Sequence, residues 1–362
     1  MLFTINIWYS QFLLLLLHRF LIRIGFMVDN IVSLNEYVQT VEHTNCYWMV
    51  RTMGGDYFDE FVQNGFIAIG YDEIPLREIR AINLEDGVAV SQLKRRVSEL
   101  YDEAARPGHI VSQLLRFCKS IAIGDIVVLP GHASYSLAIC RVTGDPYEDV
   151  NAIGECRFTK RIPIEVLRKT TRLSLPPKAQ FMFNSRHPIS DITPYAQYID
   201  NTMLDFYNKN NETHIVLRIN TDDDVSVSTF YAIEQLFQLT EGFCKEQGIN
   251  GSSSEVVMKV QMESKGALHF ISSNKAFLAL VGLGILFING GGLKISHGSF
   301  NLDLSTHGLF GNYNEYMDRR ADRALLGSIK NSLDSLAIET PDDFQKAVIE
   351  LYQKHNDARE KY

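Results

Sequence analysis

The chain has little cysteine, and none of it is paired along the sequence. Cys46, Cys118, Cys140, Cys156 and Cys244 are odd in number and scattered, with no CxxC. Such a set argues against a disulfide framework and against a zinc site, and fits reduced thiols in a cytoplasmic protein. Excess positive charge is also missing. The formal net charge of -8 excludes a chain that coats nucleic acid through many phosphate contacts, although local basic patches remain open. No Gly-x-Ser-x-Gly and no phosphate-loop pattern occurs, and the histidines show no paired metal-ligand spacing. No bound metal is therefore expected.

Long apolar runs are scarce. Phe12 to Leu17 is strongly apolar, but His18, Arg19 and Arg23 interrupt it well before the ~20 residues of a membrane span. No small-residue cleavage site follows it. Residues 1–45 are read as an N-terminal extension, with Met27, ahead of Val28-Asp29-Asn30, as the expected start; an amphipathic anchor that makes the protein membrane-associated is the alternative. A second apolar stretch, Ala276 to Ile288 (AFLALVGLGILFI), runs into Asn289-Gly290-Gly291-Gly292. As a helix it covers about 20 Å, short of a ~30 Å hydrocarbon core. It reads as a buried core helix or as a membrane-active element in which Gly282 and Gly284 allow close helix packing.

What is present is ordinary globular material. At 362 residues, 46 % hydrophobic and 22 % charged, the chain can hold two domains with separate cores. From Cys46 onward, short strands (Tyr47–Arg51, Phe66–Ile69, Ile126–Leu129, Ser136–Val142, Cys156–Ile162) alternate with Gly, Pro and Asp turns. Two helices are expected between them, Glu85 to Ala105 with Val90, Leu93, Val97 and Leu100 as its buried stripe, and Ile110 to Ser120. The fold class expected is α+β: a small β-barrel with packed helices over residues 46–195, then a separate α+β domain over 196–362. The second domain is expected as a strand at His214–Ile219, a helix at Ser228–Gln247, a strand at Glu255–Met262, the apolar segment and C-terminal helices. The last of these starts at Thr340-Pro341-Asp342-Asp343, a capping residue, an N1 proline and first-turn acids.

Three strings in the first half carry a resemblance. YWMVRTMGGDYFDEFVQNGFIAIGYDEI (Tyr47 to Ile74), LLRFCKSIAIGDIVVLP (Leu114 to Pro130) and SLAICRVTGDPYED (Ser136 to Asp149) resemble the N-terminal module of Mrr-like restriction proteins. That module is similar to the PUA, EVE and ASCH group of small barrels. Tyr71 stands where that pattern has Trp, and Ala138 replaces a glycine. The resemblance implies a module that senses nucleic acid or a modified nucleotide within a bacterial restriction or anti-phage defence system, with partner proteins and a homo-oligomer as further expectations.

A base-reading pocket needs aromatic faces and a few polar groups. The candidates are Trp48, Arg51, Gly54, Gly55, Tyr57 and Tyr71, with Phe61, Asp56 and Ser112-Gln113 beside them. Aromatic residues in a small barrel are as readily core as ligand-binding. The basic residues Lys160, Arg161, Arg168, Lys169 and Arg172 form a local cluster that is either a patch or a solvated face. One enzymatic alternative stands, a nuclease in which Glu263 and Lys265, downstream of Asp222-Asp223-Asp224, hold Mg2+ beside a scissile phosphate.

Overall fold

A computed structural model describes residues 35–41, 45–101, 106–219, 221, 226–261, 266–290, 294–297, 300–303, 308–321, 323–338 and 341–360. Two compact units emerge. One spans residues 43–203, and the other joins residues 35–41 to the chain from residue 204 onward. The expected extension and the expected boundary at 195 are both displaced by this division. Strand β1 (Gln39–Thr40) pairs in parallel with β9 (Phe206–Lys209), and Val38 lies in the core of the later unit. In chain order, the 43–203 unit is therefore inserted between two neighbouring strands of the other. The Phe12 to Leu17 run and Met27 lie outside the described residues.

The 43–203 unit is built on β2 (Tyr47–Val50), β3 (Phe66–Ile69), β4 (Ile126–Pro130), β5 (Ser136–Val142), β6 (Tyr147–Glu148), β7 (Lys160–Thr171) and β8 (Ile189–Asp191). Their order is β3-β7-β5-β4-β2-β8, with β6 on β7. Among the described strands of this unit, only the β2–β4 pairing is parallel. β3 and β8 end that order, so the sheet is a curled half-barrel in a mixed α+β unit. A register shift between Ile139 and Cys140 lies in the β5–β7 ladder, where a bulge increases local twist.

Strict alternation explains why the sheet is covered on both faces. Trp48 and Val50, Val127 and Leu129, and Ala138 and Cys140 enter one core with Phe61 of α1 (Phe58–Asn64), Leu93 and Val97 of α3 (Gly87–Leu100) and Ile110 of α4 (Pro107–Leu115). Helix α2 (Leu76–Ala81) adds Ile79. Tyr47 and Met49, Ile126 and Val128, and Leu137 and Ile139 enter the opposite core with Ala179 of α5 (Pro177–Gln180), then Met182 and Phe183, and Ile199 of α6 (Ala196–Met203). β7 is longer than the sequence indicates and starts later. Residues 156–159 are not strand, and the strand runs on to Thr171.

In the other unit, β9 pairs with β10 (Glu212–Arg218), β10 with β12 (Ala267–Ser272), and β12 with β11 (Val257–Gln261), all antiparallel. Helix α7 (Val227–Gln247) buries Ile233, Leu236, Phe237 and Phe243, the residues its periodicity selects. The apolar segment 276–288 lies in α8 (Lys275–Gly290), where Phe277 to Ile288 pack in the unit's core. Its glycines serve close packing within the protein: a side chain at Gly282 would meet the Phe344 ring, and one at Gly284 would meet Leu236 and Tyr313. Among the described residues, no helix is long and apolar enough to cross a membrane. The remaining elements are the β13 (Lys294–His297) and β14 (Phe300–Asp303) hairpin and helices α9 (Gly308–Arg320), α10 (Arg323–Ser335) and α11 (Asp342–Glu360).

Candidate nucleic-acid interface

The structure separates the sequence-selected residues into two groups. Trp48 is only 6 % exposed. Its indole N–H donates to Asp125 Oδ2 at 2.8 Å, and the same carboxylate accepts from the backbone N–H of Cys46 at 2.8 Å and Ala122 at 3.0 Å. This buried acid ties β2 to the turn before β4, and Trp48 is its lid in the core. A ring so placed offers no face to a ligand. Phe61 is buried beside Phe66, and Tyr57 lies half-buried, edge-on to Phe158. Tyr71 packs edge-on to Tyr101, and its carbonyl accepts from Lys160. Gln113 is buried with its Oε1 on the Ile189 N–H, and Asp56 is exposed. Two residues of the five-residue basic cluster also turn inward. Lys160 is fully buried against Asp72, and Arg161 is paired with Asp149 while its guanidinium lies over the Phe66 ring.

Arg51, Gly54 and Gly55 meet at a different surface. Arg51 follows β2, and its guanidinium donates to Ser134 Oγ at 3.2 Å, to the Phe183 carbonyl at 2.7 Å and to the Ser185 carbonyl at 2.6 Å. All three partners are neutral oxygens, and burial pulls this guanidinium below its ordinary pKa. The turn 53–55 and the turn 132–134 face each other across Gly55. With φ +119 and a hypothetical Cβ only 2.4 Å from the His132 backbone nitrogen, only glycine fits that position. Met53, Ala133 and Ser134 also have positive φ, which is uncommon for residues with side chains. Such strain persists only where the surroundings fix it, and it concentrates at functional loops.

Arg172 extends this surface. Its backbone N–H donates to the Tyr135 carbonyl at 2.7 Å, its Nε donates to Gln180 Oε1 at 3.2 Å, and its guanidinium lies 5.3 Å from the Phe183 ring centroid. The residues around it expose large side chains: Tyr135 57 % and Phe181 62 %, with Leu173 next in the chain and Met53 in the turn that faces residues 132–134. On the other side of the 184–189 loop, His187 Nδ1 lies 2.6 Å from His109 Nε2, and Arg116 donates to the Ile189 carbonyl. Burial lowers the His109 pKa, and the charges that lower it further are all cationic: His187, Arg106 and Arg116. Among the described residues, none of Arg51, Arg106, Arg116, Arg172 and Arg186 forms an ion pair.

The sequence signal for this site was weak because its parts are single residues in separate turns. Tyr135 and Phe181 could be suspected only as aromatics bounded by turn residues, Tyr135 by Ser134 and Ser136 and Phe181 by the Pro176-Pro177 turn. Glu263, Lys265 and Asp222-Asp223-Asp224 lie outside the described residues. Among the described residues, no group of three or more His, Cys, Asp and Glu is placed to hold a metal ion.

Residues 48–175 match the model of a domain of unknown function (DUF8426). The matched stretch runs from Trp48 to Leu175, so it contains Arg51, Tyr135 and Arg172 and stops short of Phe181. No curated protein and no solved structure matches the chain.

Proposed function

We propose that the 43–203 unit is a PUA/EVE-like module that recognises nucleic acid or a modified nucleotide through the surface around Arg51 and Arg172. The observation that carries this reading is a pair of arginines, Arg51 and Arg172, with no ion pair among the described residues and both held in fixed orientation by neutral groups. A protein of net charge -8 has carboxylates to spare, so two cations left without acidic partners beside Phe183 are suited to an external anion. Arginine matches phosphate geometry with two parallel N–H donors, which lysine does not do. Exposed Tyr135 and Phe181 add rings on which bases can stack.

Fluorescence anisotropy of labelled DNA and RNA, unmodified and base-modified, at stated salt tests this reading. Binding whose log K falls linearly with log salt is expected, and Arg51→Gln and Arg172→Gln each make that slope shallower by roughly 0.7–0.9. Absence of binding, or binding indifferent to both substitutions, would refute it. The order of the three strings in the first half supports a place in a cytoplasmic bacterial restriction or anti-phage system. Expression in a phage-sensitive host then lowers plaque formation, and the Arg51→Gln variant restores it.

A further inference from the structure

We propose that this surface takes single-stranded nucleic acid, with unpaired bases stacking on Phe181 and Tyr135 while Arg51 and Arg172 hold phosphates. This rests on the nucleic-acid reading above and names the strand form it prefers. Three observations favour it. First, Phe181 and Tyr135 are attached to the residues that fix Arg172: Gln180 takes its Nε, and the Tyr135 carbonyl takes its backbone N–H. Both rings are more than half exposed. In a duplex the base faces are hidden by stacking, whereas an unpaired strand presents them, and a ring on a loop can then pair with a base of any identity.

Second, the segments that carry the surface are single turns: Met53–Gly55, His132–Ser134, Arg172–Ser174 and Phe181–Asn184. Reading a duplex major groove takes a protruding helix or a two-stranded ribbon about the width of that ~12 Å groove, and none of these turns is either. Third, the guanidinium groups are oriented with donors to spare. Arginine carries five N–H donors. Arg51 commits donors to Ser134, Phe183 and Ser185, and Arg172 commits only its Nε to Gln180. Arg172 keeps the parallel N–H pair of its two Nη groups for a phosphate, whereas Arg51, with both Nη2 hydrogens committed, keeps single N–H groups on Nε and Nη1. An anionic lipid surface would also attract cations beside apolar side chains, but it presents no flat base for the two exposed rings to stack on.

The test uses the full chain with labelled unstructured oligo-dT and oligo-U, a hairpin duplex of matched charge, and vesicles containing phosphatidylserine. The single strands, in either sugar form, are expected to bind at least ~10-fold tighter than the duplex. Phe181→Ala and Tyr135→Ala are each expected to weaken single-strand binding by roughly 5- to 150-fold, the range for loss of one base–aromatic stack, while leaving the salt slope unchanged. Both side chains are exposed, so unaltered thermal melting of these variants certifies that they fold. Equal binding of duplex and single strand, with both ring variants inert, overturns this inference and leaves the nucleic-acid reading standing. Binding to vesicles alone, or to nothing, overturns both.

Discussion

Replacing Trp48 with Phe distinguishes a core tryptophan from a base-stacking one. The indole N–H donates to Asp125, an acid that is itself only 4 % exposed, so the substitution deletes one hydrogen bond to a buried carboxylate. Hydrogen bonds to charged groups contribute about 1.5–3 kcal/mol. Asp125 keeps its bonds from Cys46 and Ala122, which places the loss near the lower end of that range. The smaller ring also leaves a void beside Val127 and Phe61, a further ~1 kcal/mol. The expected sum is roughly 2–4 kcal/mol. In a unit of this size that lowers the melting midpoint by roughly 5–15 °C. Far-UV circular dichroism in urea reads the transition, since tryptophan emission is itself changed by the substitution. Below the transition, the folded variant is expected to bind oligo-dT within about twofold of the parent protein, because the ring at this position is buried in the core beside Asp125. A variant that keeps full stability and loses tenfold or more in affinity would refute this placement and return Trp48 to the ligand site.

Three further outcomes follow from the geometry. His214 and His269 are buried, 2.9 Å apart, and desolvation lowers them to about 4 and about 3. Their folded pKa values lie below the unfolded ~6.5, so the stability they confer is complete above that pH and is lost as pH falls through the window toward 4. Between pH 7 and 5.5 the unit that holds them is expected to lose roughly 2–3 kcal/mol in urea titrations, and a His269→Gln variant with the same pH dependence would contradict this. Gly55→Ala forces a side chain against the His132 backbone at a positive φ, so it is expected to destabilise by about 3 kcal/mol and to weaken nucleic-acid binding together. Proton exchange or denaturant melts and anisotropy on that one variant check both parts. Asp205 accepts from the backbone N–H groups of Asp342 and Asp343, capping α11 from a distant segment. Asp205→Ala is expected to cost about 1–2 kcal/mol in denaturant melts of the full chain, and a neutral result would mean Pro341 and the first-turn acids suffice to start the helix.

The contrast between what was legible and what was not has a consistent physical cause. Helix α7 and its buried Ile233, Leu236, Phe237 and Phe243 follow from periodicity, because a helix presents one face and that face must be apolar. β4 and β5 follow from short apolar runs bounded by Gly-Asp and Pro-Gly turns. The start of α11 was legible from Pro341-Asp342-Asp343, and the distant Asp205 adds to it by accepting from the backbone N–H groups of Asp342 and Asp343. By contrast, local pattern does not divide residues 196–209 into helix α6 and strand β9, nor residues 308–335 into the two helices α9 and α10. Phe206 and Tyr207 are as compatible with strand as with helix over so short a span, and pairing with β10 decides between them.

The sequence by itself determined the cysteine chemistry, the absence of a charge excess that would coat nucleic acid, the strand-rich character of the first half and most helix faces, since all of these depend on residues that are neighbours in the chain. Tertiary structure alone decided which aromatics and which cations are available. Lys160 and Arg161 are withdrawn by Asp72 and Asp149, while Arg51 and Arg172 are left to neutral oxygens. Trp48 is taken inside by Asp125, while Tyr135 and Phe181 are left outside. Burial and charge pairing are set by partners as distant in sequence as residue 51 from residues 134, 183 and 185. The β2–β4 and β2–β8 ladders bring those residues together, and no local pattern records that.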